Sequence, residues 1–222
     1  MNWENSRAST PLKRDFLTAW FAEDDRFFLT GGSALGMFYL DHRRSYDLDL
    51  FTPIEDINTL SLGSQMIRIA RLIGATCDVV QTTPDFLRFE LRRGAEHELI
   101  DLVVDRVPQL DEEKRREGTV RVDTLREIIA NKWAALLGRS ELKDVVDLFF
   151  LERTGHDIFD GFEDARQKDA GLDPAILSHL LQAVRIREIP GYMIEPLSVE
   201  ELQAFVDRLR QEMAERAFPR RD

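Results

Sequence analysis

Gly31-Gly32-Ser33-Ala34-Leu35, followed by Asp47-Leu48-Asp49-Leu50-Phe51, is the stretch on which the fold turns. The second block alternates strictly between polar and apolar side chains and stops at Pro53, the pattern of a half-buried strand. Side chains two apart on a strand leave the same face, so Asp47 and Asp49 stand together while Leu48 and Leu50 turn away. Like charges at that separation repel unless a cation neutralises them, and paired carboxylates suit Mg²⁺ or Mn²⁺. Alone the pair says little: with 41 acidic residues among 222, chance gives roughly seven acid-x-acid pairs. The first block supplies context. It lies between a short apolar strand, Phe27-Phe28-Leu29-Thr30, and a helical stretch with Leu35, Phe38 and Tyr39 on one face. Glycines let a backbone approach a phosphate, the helix beyond offers free N–H groups, and a serine hydroxyl adds a donor. A plain strand-to-helix turn is the alternative for these residues, and neither a P-loop nor a GxGxxG fingerprint follows.

Working outward, Ser9-Thr10-Pro11 predicts a capped helix with Leu12, Phe16, Leu17, Trp20 and Phe21 on one side. A helix over 56–73 places Leu60, Ile67, Ala70 and Ile73 in register and ends at Gly74. Three strands follow, over 76–81, 86–92 and 98–104, the last two joined by a turn at Arg93-Gly94. The order βαβαβββ predicts an α/β (α+β) domain over residues 1–108, a mixed sheet with helices packed on it. Asp101 sits inside the otherwise apolar run Leu99-Ile100-Asp101-Leu102-Val103. A buried carboxylate there requires a metal or a cationic partner. If its strand adjoins that of Asp47, three carboxylates converge, a set able to hold divalent ions that activate a hydroxyl and steady a leaving pyrophosphate.

Beyond a charged loop at 109–118 the character changes to helix. Asp123 caps one helix running to Gly138, and 141–153 forms another. Asp173-Pro174 opens a third, and Ser198 with Glu201 makes a capping box for a fourth. Residues 109–222 therefore read as a helical domain, with 219–222 a free tail. Lys132, Leu136 and Arg139 recur at helical spacing, so one face can carry two cations toward a cleft. Lys143 with Asp147, and Asp144 with Leu148, stand four apart on the next helix; ordinary salt bridging accounts for any of these equally well. Arg43 and Arg44, just before the acidic strand, either attract phosphates or compensate the acids, and His42 orients or is merely exposed.

The composition, 43% hydrophobic and 32% charged, supplies a real core. A net charge of −11 excludes bulk coating of nucleic acid, so an RNA partner needs a local basic patch. The single cysteine, Cys77, excludes a disulfide framework and a Cys-based zinc site, and four scattered histidines make no His-based one. There is no apolar signal core and no run of 18 apolar residues, so the expectation is a soluble, cytoplasmic protein without membrane contact.

Gly31-Gly32-Ser33-Ala34-Leu35, with Tyr39-Leu40-Asp41-His42-Arg43-Arg44-Ser45-Tyr46-Asp47-Leu48-Asp49-Leu50-Phe51, resembles the signature of the AbiEii/AbiGii nucleotidyltransferase-like toxins. That family lies within the polymerase-β-like nucleotidyltransferase superfamily. The resemblance extends to Lys132, Ala135-Leu136, Arg139 and Lys143-Asp144-Val145-Val146-Asp147-Leu148, and so spans residues 25–153. It implies a nucleotidyltransferase fold, an NTP donor and Mg²⁺ or Mn²⁺. Carried over by residue, it puts Gly31, Gly32 and Ser33 at the triphosphate and Asp47 and Asp49 at the metal, with Asp101 as third acid. Lys132, Arg139 and Lys143 would offer charge to the nucleotide, with Asp144 beside them. The stretch between Ser33 and Asp47 is longer than the superfamily's usual gap. The acceptor implied is tRNA or another RNA, with a cognate antitoxin as partner. Two alternatives stand beside it: transfer to a small molecule, as antibiotic-modifying nucleotidyltransferases perform, or nucleotide or partner binding without turnover. The intact acid set argues against the last.

Overall fold

The computed structural model describes residues 3–55, 57–138 and 141–218. The chain divides into two compact units, Met1–Thr124 and Leu125–Asp222. In the first, helix α1 (Pro11–Phe21) begins as its sequence requires: Thr10 takes the extended cap conformation, its hydroxyl accepts from Lys13 N–H, and Pro11 occupies the first turn. Leu12, Phe16, Leu17, Trp20 and Phe21 are all buried, and the Phe16, Trp20 and Phe27 rings pack with centroids 5.8 and 5.5 Å apart.

Strands β1 (Phe28–Thr30), β2 (Asp47–Thr52), β3 (Thr76–Thr82), β4 (Phe86–Arg93), β5 (Glu96–Val104), β6 (Arg115–Glu117) and β7 (Val120–Val122) form one mixed sheet in the order β3-β4-β5-β2-β1-β7-β6. The parallel pairs are β2 with β5 and β1 with β7. Helix α2 (Gly31–Ala34) and a π-helical turn over Leu35–Leu40 join β1 to β2. The π turn and the loop after it take up the extra length between Ser33 and Asp47.

Helix α3 (Thr59–Leu72) starts at Asn58, whose side chain accepts from Ser61 N–H. Its buried face is Leu62, Met66, Ile69 and Ala70; of the expected set Ala70 lies on it, while Leu60 is 84% exposed and Ile67 40%. Both sets satisfy a helical period, and only docking on the sheet chooses between them.

Residues 109–124 also depart from expectation. The charged segment supplies a hairpin, β6 to β7, with Glu117 opposite Val120 across Gly118-Thr119. Val122 then pairs with Leu29, which adds the hairpin to the first unit's sheet. Asp123 lies buried at its end. Its carboxylate accepts from the Thr30 hydroxyl at 2.7 Å, from Lys114 Nζ at 2.8 Å and from Thr124 N–H at 3.1 Å.

The second unit is helical. It comprises α4 (Leu125–Gly138), α5 (Leu142–Arg153), α6 (Ile158–Lys168), α7 (Pro174–Ala183) and α8 (Val199–Ala217). The Asp173 cap of α7 and the Ser198/Glu201 capping box of α8 are both present. Helix α6, which sequence reading passed over, is capped by Asp157. Gly161 interrupts its apolar pattern for a packing reason: a Cβ there would sit 2.1 Å from Ile129 Cγ2. The close approach lets Trp133 pack edge-on against Phe162 and donate to the Ile158 carbonyl at 2.7 Å. Among the described residues no helix is long and apolar enough to cross a membrane.

Candidate active site

Parallel pairing of β2 with β5 places Asp49 directly beside Asp101, and the strand's period of two puts Asp47 on the same face. One carboxylate oxygen from each of the three lies within 4.8 Å of the others. Leu48, Leu50, Ile100 and Leu102 fill the opposite side as core, which is why these acids cannot turn away from one another. Asp47 is further fixed by Ser45, whose hydroxyl donates to its Oδ1 at 2.8 Å.

The glycine turn is built around these acids. Gly31 has φ +68°, and a Cβ there would lie 2.4 Å from Asp49 Oδ2. Gly32 faces Arg43 and Ser45, with a Cβ falling 2.5 Å from Arg43 Nη2 and 3.0 Å from Ser45 Oγ. Ser33 is buried and donates its hydroxyl to the Asp47 carbonyl, so it ties the turn to β2. Behind this edge Lys13, also buried, donates to the Ser45 carbonyl and lies 3.4 Å from Glu98, which accepts from Thr10 Oγ1 at 2.8 Å. Burial pushes the Lys13 pKa down and the Glu98 pKa up; it outweighs their attraction for one another.

Replacing Gly32 with valine therefore drives a side chain into the end of Arg43, which is only 2% exposed and must shift within the interior. The expected loss is about 1–3 kcal/mol of stability, together with displacement of Ser45 from Asp47. Denaturant unfolding checks it. Wild-type stability in this variant would show that the turn has slack.

In the second unit Lys132 is buried between two acids of α5, with Nζ 3.0 Å from Asp144 and 2.7 Å from Asp147. Lys143 is half-buried and pairs with Glu141 at 2.9 Å. Arg139 lies outside the described residues. A parallel arrangement serves Lys168, which pairs with buried Glu127 and reaches Asn131 at 2.9 Å.

The sequence matches the model of the nucleotidyl transferase AbiEii toxin family, a type IV toxin–antitoxin system, over residues 15–221. The chain belongs to the AbiEii nucleotidyltransferase toxin family. No curated protein sequence matches it. Among solved structures, it is similar to a candidate nucleotidyltransferase from Helicobacter pylori at TM-score 0.62 and 19% identity, covering 93% of each chain. It is similar to JHP933 of Helicobacter pylori at TM-score 0.61 and 19% identity, over 93% of this chain and 90% of that one. MenT4, a nucleotidyltransferase toxin from Mycobacterium tuberculosis, gives TM-score 0.57 and 16% identity, over 91% and 82%. Identities this low establish a shared fold; the family match establishes a nucleotidyltransferase.

Within this AbiEii-family unit one further residue reaches the acids. Arg88 of β4 stands opposite Asp101 in register. It donates through Nε at 2.7 Å and through Nη2 at 2.6 Å, one bond to each carboxylate oxygen. Asp101 holds the Arg88 pKa above its ordinary value, and Asp47 and Asp49 add to the effect. Its one sequence signal is the alternation of β4, which puts Phe86 and Arg88 on the same face, and alternation does not reveal the register across from Asp101.

Proposed function

We propose that this chain moves a nucleotide from an NTP onto an RNA acceptor, tRNA before others, with a divalent cation held by Asp47, Asp49 and Asp101. The observation that carries the reading is the convergence of three carboxylate oxygens within 4.8 Å beside a glycine turn. The donor set is all oxygen and anionic, which suits Mg²⁺ or Mn²⁺ and not the softer metals. When bound, such an ion would neutralise triphosphate charge and favour the alkoxide form of the attacking hydroxyl. The protein's own part is positioning. Ser45 orients Asp47, Arg88 orients Asp101, and the missing side chain at Gly31 leaves Asp49 Oδ2 against bare backbone. On this reading the turn at Gly31 and Gly32, next to Asp49, would sit against the triphosphate. Family membership supports the toxin setting and with it an antitoxin partner.

The test incubates the full chain with each labelled NTP, Mg²⁺ or Mn²⁺, and total tRNA. Label on RNA from one NTP, abolished by Asp49→Asn, is the expected result. Label on added small molecules and none on RNA would replace the acceptor. Metal and nucleotide binding with no transfer to anything would leave a binding protein.

A further inference from the structure

Asp101 is held by a cation already. Its side chain is 5% exposed and that of Arg88 34%, so the acid is fixed in the interior while the guanidinium borders solvent. Both oxygens of Asp101 accept from Arg88, a fork-to-fork pairing that occupies one lone pair on each. One of these two oxygens lies within 4.8 Å of a carboxylate oxygen from each of Asp47 and Asp49. Phe86, two residues along β4, presents its ring 5.4 Å from the same guanidinium, a cation–π contact made together with the Asp101 pairing.

We propose that Arg88 is the built-in counter-cation of the triad, a positioning residue that compensates Asp101 when no metal is bound and competes with the divalent cation for that carboxylate. This rests on the triad's being the metal site. Its physical basis is charge. Three acids this close repel, and Arg88 removes one unit of that repulsion, so the site is tolerable before metal and substrate arrive. The same positive charge opposes entry of another cation. Metal affinity in the free chain is thereby lowered, and a ligand that brings its own negative charge, such as a nucleoside triphosphate, restores it. The prediction is that metal binds weakly alone and tightly with nucleotide.

Mn²⁺ alone is the probe, used on the full chain, with affinity read by calorimetry and Tm read with and without the ion. Arg88→Gln should bind Mn²⁺ about tenfold or more tightly than the wild type, because an opposing charge has gone. Its Tm without metal should fall, and its rise on adding Mn²⁺ should exceed the wild-type rise. Arg88→Lys keeps the charge and loses the fork, so it should lie between the two. If Arg88→Gln does not fold without Mn²⁺ but folds with it, the ion has replaced the arginine and the proposal stands. If it folds under neither condition, Arg88→Lys decides: affinity above wild type supports competition. Equal or weaker Mn²⁺ affinity in the variants, with wild-type binding intact, overturns the competition and leaves the triad standing. No Mn²⁺ binding by the wild type, with or without NTP, overturns the triad itself.

Discussion

Asp49→Asn is expected to lower nucleotide transfer by three orders of magnitude or more, about 4 kcal/mol of transition-state stabilisation, while leaving Tm unchanged or slightly higher. The two halves of that expectation have one origin. Asp49 is aligned with Asp101 and shares a face with Asp47, so its charge is repelled from two sides in the free protein. Neutralising it relieves repulsion, and asparagine keeps the shape that fits against Gly31. On the proposed reading the same change would also remove one anionic ligand from a three-ligand set, and a hard cation gains little from an amide oxygen in its place. Single-turnover transfer of labelled nucleotide measures the loss, and a thermal melt measures the stability. Near-normal transfer would remove the triad from the chemistry. A large fall in Tm would mean that Asp49 holds the fold together, and the kinetic loss would then say nothing about catalysis.

The triad was legible because parts that are weak alone reinforce one another. Asp47 and Asp49 interrupt an apolar strand at its period, and Asp101 interrupts a second one, so burial on one side and charge on the other were visible in the letters. What was not legible depends on register. Arg88 is one of several arginines in β4, and only the pairing of β4 with β5 singles it out. Lys13 is followed on α1 by Arg14 and Asp15, and its burial follows from the docking of α1 over Ser45 and Glu98. The β6–β7 hairpin has strands of three residues dominated by charge, too short for an alternation to show, and it is held in the sheet by the single pairing of Val122 with Leu29. Helix α6 was hidden by Gly161, a residue that weakens a helix locally and is needed where the helix meets Ile129. The spacing of Lys132 and Arg139 predicts a face that carries two cations toward a cleft. Burial, which spacing does not report, places Lys132 inside.

Lys132→Met is expected to cost about 3–5 kcal/mol of stability, because it withdraws the cation from two carboxylates that have no exposure of their own. Set against a typical total of roughly 5–15 kcal/mol, that is enough to bring the helical unit near its unfolding point at room temperature. In a unit of this size it corresponds to a Tm lower by roughly ten degrees or more. Lys132→Arg should recover part of it, since the charge survives while a planar fork must fit where a single ammonium bridged Asp144 and Asp147. The triple change Lys132→Met with Asp144→Asn and Asp147→Asn should be more stable than Lys132→Met alone, because a neutral interior is less costly than an interior with uncompensated charge. These melts separate two roles for the lysine. Resemblance to the toxin family assigns Lys132 to the nucleotide, and that assignment requires kcat/KM to fall in Lys132→Met at a temperature where the variant is fully folded. The buried ion pairs require the opposite order, stability lost first and activity lost only as unfolding sets in. A folded Lys132→Met protein with wild-type Tm and no transfer would therefore give the lysine to the nucleotide, and Asp144 and Asp147 would then be the groups that hold its ammonium ready.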